Sequence, residues 1–209
     1  MQFLAPYLFY IFTGFLSGSV LYSKILPWQL KRVDVTLQSD DGNPGTTNAI
    51  HCAGVPIGLL CLACDLGKGF LPVWLGSRRL DMSCWWFALV LAAPVFGHAF
   101  SPWMRGRGGK AVAVSFGVLL GLLPGIPAAW LLAGLYIFFS VVVAVRPHRL
   151  RSVLVYGLFA ALSLLLPGPS SLALGYLLLS GAVISRHLPR KTAELPEVLV
   201  LGRRISAGK

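Results

Sequence analysis

The sequence predicts an all-α membrane protein, a polytopic bundle of about seven transmembrane helices that forms one domain over residues 1–209. Hydrophobic residues make up 56% of the chain and charged residues only 12%, roughly half the charged fraction of a typical soluble domain. Long apolar runs recur along the chain, separated by short connections that are polar or rich in glycine and proline. Together these observations exclude a soluble globular protein.

The predicted spans follow the apolar runs, which are residues 3–22, 50–75, 84–100, 111–123, 126–145, 153–166 and 172–184. The first run is too long, and too weakly basic at its start, to be a cleaved signal peptide. The fourth run and the last two are short for a hydrocarbon core of about 30 Å. We therefore expect them to borrow flanking residues or to lie where the bilayer thins.

The net charge of +11 is distributed unevenly between the two sides of the predicted bundle. Lysine and arginine cluster in the connections around residues 24–32, 105–110 and 146–151, and in the C-terminal tail, which we expect on the membrane surface. The opposite connections hold only Arg78 and Arg79. The positive-inside rule then predicts an N-terminus outside and a C-terminus in the cytoplasm. Because it is spread over several short loops, this charge indicates attraction to lipid headgroups and no nucleic-acid partner.

The first polar connection, residues 24–48, ends in a run of turn-forming and hydrogen-bonding residues. One interpretation is a turn that caps the second span, with Thr46, Thr47 or Asn48 as the N-cap residue. Capping requires only one such side chain, whereas residues 40–48 contain several in a row. The density of polar groups favours the alternative, a functional loop on the cytoplasmic side.

The second span contains Asp65 and Lys68, whose i,i+3 spacing puts both side chains on one face of a helix. Charges inside an apolar span are costly unless they are paired or face a wet cavity. The two residues therefore form either a functional site or a structural ion pair, and one pair can serve both roles. The same span holds Cys61 and Cys64, and without a nearby histidine this spacing favours buried free thiols over a metal or redox site.

The connection at residues 97–111 combines glycines, cations and His98 between two strongly apolar runs. Glycine lets successive backbone N–H groups converge on one point, and the start of the next helix adds a positive dipole end. Full positive charges come from Arg105, Arg107 and Lys110. This arrangement predicts a site for a phosphate or another oxyanion at the membrane surface. The alternative is a basic loop that only fixes topology.

In order and spacing, these features resemble the bacterial acyl-phosphate:glycerol-3-phosphate acyltransferases, integral membrane enzymes that produce lysophosphatidic acid. The first family motif looks like G-S-G-N-I-G-A-T-N, and residues 40–48 here read D-D-G-N-P-G-T-T-N. A family D-x-x-K-G pattern is similar to residues 65–69. The family's G-H-x-F-P-x-F, followed by K-G-G-K-G, is similar to residues 97–103 and 107–111. The resemblance extends over roughly residues 1–120.

Several positions depart from the family pattern. Asp41 stands where the family has serine, His51 where arginine is common, and Ala111 where the last loop glycine is expected. The third family motif resembles R-Y-V-S-L-x-S, of which residues 149–155 keep only the first serine. The C-terminal H-R-E-N pattern appears at residues 187–190 without its asparagine. An aspartate beside two phosphates would repel them unless it is protonated or binds another group.

The resemblance implies transfer of an acyl group from acyl phosphate to the 1-hydroxyl of glycerol 3-phosphate, in a bacterial plasma (inner) membrane. It implies no cofactor or metal ion, and the partners would be the two substrates and membrane lipid. The implied catalytic residues are His98, in a hydrogen-bonding or proton-handling role, Lys110 and Asn43. Backbone N–H groups of the loop glycines would hold a phosphate beside Lys110. The implied substrate-binding residues are Gly42, Thr47, Asn48, Arg105, Arg107, Gly108, Gly109 and Ser152.

Two other functions remain open on the sequence. A diverged, non-catalytic relative would bind lipid phosphate or a partner protein, and the incomplete third and C-terminal motifs favour it. A transporter is less consistent with the sequence, because intramembrane charge is sparse and no broken-helix repeat is visible. Retention of Asn43, Asp65, His98 and Lys110 favours catalysis.

Overall fold

Helices dominate the computed structural model, which describes residues 3–124, 127–188, 197–200 and 203–204. A 3₁₀ turn, Pro102–Met104, follows the helix that ends at Ala99, and a π-helical turn, Phe138–Val142, follows the helix that ends at Ile137. The C-terminal tail expected on the membrane surface lies largely outside the described residues, as do Pro189 and Arg190 of the C-terminal motif. The helices are α1 Ala5–Ser19, α2 Tyr22–Lys31, α3 Val35–Gln38, α4 Thr46–Ala53, α5 Val55–Ser77, α6 Trp86–Ala99, α7 Val112–Leu120, α8 Ala128–Ile137, α9 His148–Ser163 and α10 Ser170–His187.

Two stretches among the described residues are long and apolar enough to cross a membrane on their own, Val55–Ser77 and Trp86–Met104. A third candidate is the pair α1 and α2, which bends by 42° at the break between them. Ala128–Val142 is apolar but shorter. The described part of the chain thus contains two to three clear spans where the apolar runs suggested about seven, because several runs fold into shorter helices.

The predicted polar connection at residues 24–48 is more helical than expected, since α2 continues to Lys31 and α3 follows it. Gly45 takes the N-cap position of α4 with extended dihedral angles of −110° and 158°, and no side chain among the described residues caps this helix. Asn48 instead donates its amide to Asp41 Oδ1 at 2.7 Å. The interpretation in which Thr46, Thr47 or Asn48 is the N-cap residue is therefore wrong, because the helix begins at Thr46 and Gly45 precedes it in an extended conformation.

A small antiparallel sheet corrects the all-α prediction. Its strands are β1 Val143–Arg146, β2 Glu197–Val200 and β3 Arg203–Arg204, in the order β1-β2-β3. Val143 pairs with Val200, and Leu199 pairs with Arg204. The fifth span, predicted over residues 126–145, is helical only up to Val142. Its last residues are mainly valines, whose branched side chains favour an extended backbone.

The core is built around α6, which lies against α1 on one side and α10 on another, while α7 packs on α5. Val90, Leu91 and Val95 of α6 are fully buried, and large side chains from α9 and α10 meet them, including Tyr156 and Tyr176. This central position leaves little of α6 exposed. The loop that follows α6 therefore starts from one of the most enclosed helices of the structure.

Two glycines allow α1 and α6 to cross closely. A Cβ atom added at Gly18 would lie 2.0 Å from the Pro94 carbonyl oxygen, and one at Gly97 would lie 2.1 Å from the Phe15 carbonyl oxygen. Both obstacles are backbone atoms, which cannot rotate away as a flexible side chain can. Small residues at such crossings let helix backbones approach within van der Waals contact, the main source of attraction between helices in lipid.

A buried ion pair on α5 connects this helix to the α1–α2 break and to α6. Asp65 Oδ1 and Lys68 Nζ are 2.7 Å apart, and each side chain is 2% exposed. The Lys68 ammonium also donates to the Val20 carbonyl at the α1–α2 break and to His98 Nδ1 at 2.8 Å. Ser23 Oγ donates to Asp65 Oδ2 at 3.3 Å. The i,i+3 spacing thus forms an ion pair within α5. The two charged groups also make hydrogen bonds to residues of the neighbouring helices.

We predict that Gly18→Ala destabilises the protein by about 1–3 kcal/mol, because the added methyl group must push α1 and α6 apart. The measurement is the thermal midpoint of the purified protein in detergent. Gly134→Ala is the matched control, since a Cβ atom at Gly134 meets no described residue within 4 Å. Equal midpoints for the two variants would contradict the close crossing.

We also predict that Asp65→Ala and Lys68→Ala each destabilise the protein by about 3 kcal/mol or more, because each strands the other charge in apolar surroundings. The double variant strands neither charge, so its loss should be smaller than the sum of the single losses. Thermal midpoints of the four proteins give this comparison. Strictly additive losses would show that the two charges do not depend on each other.

Candidate functional site

A polar cavity of about 380 Å³ lies where four distant parts of the chain meet. It is bounded by the loop before α4, the glycine-rich loop after α6 and the ends of α9 and α10 that face them. The structure thus brings together the two polar loops that the sequence singles out. The lining residues are Asp41, Gly42, Asn43, Arg107, Gly108, Lys110, Arg149, Ser185, Arg186, His187 and Leu188.

The cavity is strongly cationic. Its lining includes four positively charged side chains and one carboxylate, and the cations come from the loop after α6 and from α9 and α10. Like charges gathered around a concave, partly enclosed surface produce a positive potential that attracts anions. The arginines can also form paired hydrogen bonds to a phosphate or carboxylate. The cations are Arg107, Lys110, Arg149 and Arg186.

Asp41 is the acidic member of the lining and is held by three donors. Lys110 Nζ is 2.7 Å from its Oδ2, while the Asn48 amide and the Asn43 backbone N–H reach Oδ1 at 2.7 and 3.1 Å. Partial burial by itself would raise the pKa of the carboxyl. The hydrogen bonds from Lys110 and Asn48 and the Lys110 charge outweigh that effect, so the Asp41 pKa lies below its ordinary value. Asp41 is therefore ionised at neutral pH and bound to Lys110.

Lys110 stands at the centre of the polar contacts. Besides Asp41, its ammonium lies 2.9 Å from His148 Nε2, and the side chain is 19% exposed. An ammonium group carries three N–H donors. The two contacts that the described residues make therefore leave one donor for an anion in the cavity.

The two loop glycines are packed against the end of α6. The Gly109 N–H donates to the His98 carbonyl at 3.0 Å, and the Gly108 carbonyl accepts from Arg186 Nη2 at 2.6 Å. A Cβ atom at Gly108 would lie 1.8 Å from the His98 carbonyl oxygen. The Gly109 N–H, predicted to hold a phosphate, instead completes this backbone hydrogen bond. The absence of a side chain serves close packing at both positions.

Ala111 keeps a backbone conformation suited to the glycine that the family motif has there. Its φ of 60° is left-handed, and Arg105 and Gly106 in the same loop also have positive φ values of 51° and 76°. A left-handed conformation costs a residue with a Cβ atom roughly 1–2 kcal/mol. The loop shape is thus retained at some energetic cost.

Five of the predicted site residues line the cavity, and the others lie outside it. His98 is buried, with Lys68 at its Nδ1 atom, and Ser152 is buried where its hydroxyl accepts from the Tyr136 hydroxyl at 3.1 Å. Asn48 lies behind Asp41, Gly109 is buried, and Thr47 and Arg105 are exposed. The five that line the cavity are Gly42, Asn43, Arg107, Gly108 and Lys110.

Helices α9 and α10 line the cavity with residues that are not among the predicted site residues. Arg149 lies in a basic turn that was interpreted as a topology signal, and Arg186 and His187 end an apolar helix, where cations commonly complement the helix dipole. The available signal was that Arg149 and His187 fall within the third and C-terminal family motifs, which are incomplete here, and that Arg186 directly precedes the second of them. Their position in the cavity comes from the packing of α10 against α6.

A second cavity, of about 560 Å³, lies beside the α1–α2 break and is mostly apolar. It shares the loop after α6 with the polar cavity, because Trp103 and Met104 line it. The other lining residues are Val20, Leu21, Lys24, Ile25, Trp28, Gln29 and Asp34.

Comparison with known proteins identifies the family. The sequence profile described as "Glycerol-3-phosphate acyltransferase" matches residues 8–192. A glycerol-3-phosphate acyltransferase of Hydrogenobaculum sp. is 34% identical over 139 residues, covering 66% of this chain and 69% of the relative. One from Pseudomonas aeruginosa is 42% identical over 123 residues, covering 57% of this chain and 62% of the relative, less than two thirds of its length.

A solved structure has the same fold. The crystal structure of PlsY (YgiH), an integral membrane glycerol 3-phosphate acyltransferase, in its glycerol 3-phosphate form, superposes with a TM-score of 0.74. It shares 25% sequence identity and covers 87% of this chain and 88% of that one. The lysophosphatidic acid form superposes with a TM-score of 0.73. This chain is an integral membrane protein and belongs to the glycerol-3-phosphate acyltransferase family.

Proposed function

We propose that the chain transfers an acyl group from an acyl phosphate to the 1-hydroxyl of glycerol 3-phosphate, giving lysophosphatidic acid and inorganic phosphate. The observation that carries this proposal is that one loop, residues 101–110, lines a cationic cavity on one side and an apolar cavity on the other. A reaction between a phosphorylated alcohol and a phosphorylated fatty acyl chain requires both environments side by side. Membership of the family supports the same reaction.

In the proposed reaction, the oxygen of the 1-hydroxyl attacks the acyl carbonyl carbon and forms the new ester bond. The bond between that carbon and the bridging phosphate oxygen breaks, and phosphate leaves with the electron pair. The hydroxyl proton passes to the departing phosphate. Because an acyl phosphate is already activated, no protein nucleophile is needed, and catalysis depends on positioning and on stabilising the charge of the leaving group.

The cations of the polar cavity supply that stabilisation. Lys110 offers an ammonium donor, and Arg107 and Arg149 offer guanidinium groups, so two phosphate groups can be neutralised within one cavity. Asn43 and Gly42 border the same space and are positioned to orient the glycerol portion of the acceptor. The acyl chain occupies the apolar cavity, where Trp103 and Met104 of the shared loop meet Ile25.

Asp41 moderates this positive potential. It stands at the position of the serine in the family motif that residues 40–48 resemble. Because it is bonded to Lys110, an entering phosphate meets an ammonium group that is already partly neutralised. Asp41 also fixes Lys110 and Asn48 in place, which reduces the entropy lost when substrate binds. In this proposal its role is to position the lysine, and the surrounding arginines provide the net attraction for phosphate.

We further propose that the whole chain forms one domain with seven membrane-spanning elements, the shorter helices α7 to α10 completing the set that α1, α5 and α6 begin. The N-terminus lies outside and the polar cavity faces the cytoplasm of a bacterial inner membrane. Two observations support this orientation: the unequal distribution of lysine and arginine, and the position of the cationic cavity on the basic side.

The direct test is an assay of purified protein with palmitoyl phosphate and glycerol 3-phosphate, in which phosphate release and lysophosphatidic acid are measured together. We predict that Lys110→Ala removes a charge-assisted contact of about 1.5–3 kcal/mol. At subsaturating substrate, turnover should therefore fall by about one to two powers of ten.

Arg78→Ala is the control for that variant. It also removes one positive charge, but from an exposed residue that directly follows the C-terminal end of α5. It should keep wild-type turnover. A correctly inserted Lys110→Ala protein that matches the wild type at low substrate would contradict the phosphate-binding role of the loop. Wild-type protein that produces no lysophosphatidic acid would instead favour a non-catalytic relative that binds lipid phosphate.

The orientation is tested with single cysteines introduced into a variant whose four native cysteines are replaced by serine. We predict that Arg79→Cys reacts with a membrane-impermeant maleimide in intact cells, because it lies in an outer turn. Arg105→Cys, which is exposed in the cytoplasmic loop, should react only after the cells are opened. Reaction of position 105 in intact cells would mean that the proposed cytoplasmic site is on the wrong side.

A further inference from the structure

The buried cluster of Asp65, Lys68 and His98 takes no direct part in the proposed reaction, since none of its members lines the polar cavity. We propose that this cluster positions the phosphate-binding loop from behind, by fixing the His98 imidazole as the surface against which Gly109 is seated. His98 is then a positioning residue for Lys110. This inference rests on the proposed function of the loop. It assigns a supporting role to residues that lie outside the cavity.

The first step is the orientation of the imidazole. Lys68 Nζ lies 2.8 Å from His98 Nδ1, and an ammonium group can only donate, so Nδ1 accepts and the ring proton is on Nε2. Lys68 is itself held by Asp65 at 2.7 Å and by the Val20 carbonyl. The His98 side chain is therefore fixed at one edge by a buried charge whose own position is fixed by two further acceptors.

The second step is the contact between the other edge of the ring and the loop. A Cβ atom at Gly109 would lie 2.1 Å from His98 Nε2 and 3.0 Å from both adjacent ring carbons. The Gly109 N–H also donates to the His98 carbonyl at 3.0 Å. One residue thus holds Gly109 twice, through its main chain and through its ring.

The third step is the connection between Gly109, which packs on His98, and Lys110, which lines the polar cavity. Lys110 follows Gly109 directly, and its ammonium must reach Asp41, His148 and the cavity from the backbone position that Gly109 sets. If the Gly109 backbone moves, Lys110 moves with it. Because misplacing a binding group by about 1 Å can reduce catalysis on the order of a hundredfold, the seat has a functional consequence beyond stability.

Gly108 provides an internal comparison. A Cβ atom at Gly108 would strike the backbone carbonyl of His98, not its ring, at 1.8 Å. A change in the His98 side chain therefore makes room for a methyl group at Gly109 but none at Gly108. The two adjacent glycines should respond differently to the same second substitution.

The test is a pair of double-mutant cycles in which Gly109→Ala and Gly108→Ala are each combined with His98→Asn. Asparagine keeps an acceptor for Lys68, so no charge is stranded, but it lacks the ring atoms that touch Gly109. The values measured are kcat, KM for glycerol 3-phosphate and the rise in thermal midpoint caused by inorganic phosphate. Gly157→Ala is the neutral control, because no atom in the described part of the chain lies within 4 Å of the added methyl group.

We expect Gly109→Ala alone to raise KM for glycerol 3-phosphate at least about tenfold, and to add less than about threefold when His98→Asn is already present. The effect of Gly108→Ala should be the same in both backgrounds. The Asp65→Ala/Lys68→Ala double variant should also raise KM, because the ring loses its fixed edge. If the cluster contributes to stability alone, this double variant would have a lower thermal midpoint but an unchanged KM, which would contradict the inference.

Equal effects of Gly109→Ala in the two backgrounds, or an unchanged KM in His98→Asn, would overturn the inference. The phosphate-induced shift of the thermal midpoint separates this failure from failure of the proposed function. If wild-type protein makes no lysophosphatidic acid, the acyltransferase proposal fails. The contact between Gly109 and His98 is still tested in that case, by whether Gly109→Ala and His98→Asn have coupled effects on the phosphate-induced rise in thermal midpoint. If inorganic phosphate does not raise the thermal midpoint of the wild-type protein, the phosphate-binding role of the loop fails, and this inference fails with it.

Discussion

The Lys68 ammonium, buried inside an apolar bundle, is the group on which the arrangement of α1, α5 and α6 depends. A charge in such surroundings must be matched by acceptors, because neither lipid nor water is available to solvate it. Its acceptors are Asp65 on its own helix, the Val20 carbonyl at the α1–α2 break and His98 on α6. At the break between α1 and α2, the Val20 carbonyl is available to Lys68. In an unbroken helix this carbonyl would accept an intrahelical hydrogen bond. One cation fixes the relative position of three helices.

This constraint connects the interior with the surface cavity. His98 lies at the end of α6, and the glycine-rich loop folds back onto both its carbonyl and its ring. The loop can carry several left-handed residues and still be well placed, because its rigid support is a buried helix end. Flexible glycines alone would not position Lys110, whereas glycines packed on a fixed surface do. Preorganisation of this kind is what electrostatic catalysis requires.

The departures from the family motifs are accommodated by local chemistry. Asp41 introduces a negative charge among cations, yet it is paired with Lys110 and bonded by Asn48, so the carboxylate is stabilised and the cavity stays positive. Ala111 adopts a left-handed conformation that a glycine would take at lower cost. Asp41 thus alters the charge of the cavity, and Ala111 adds strain to the loop. The cationic cavity of this chain therefore contains its own internal counter-ion.

Sequence alone determined the features that depend on local order along the chain. Hydropathy indicated a membrane protein, the i,i+3 spacing of Asp65 and Lys68 indicated an ion pair, and two short motifs indicated a phosphate site and the family. The tertiary structure decided which of the candidate side chains meet. Arg149 and Arg186 line the cavity only because α9 and α10 pack beside the loop, and His98 turns away from it towards Lys68. The sheet and the break after α1 also escaped prediction, because strand pairing and the capture of a carbonyl by a distant lysine depend on contacts between remote residues, which no local pattern records.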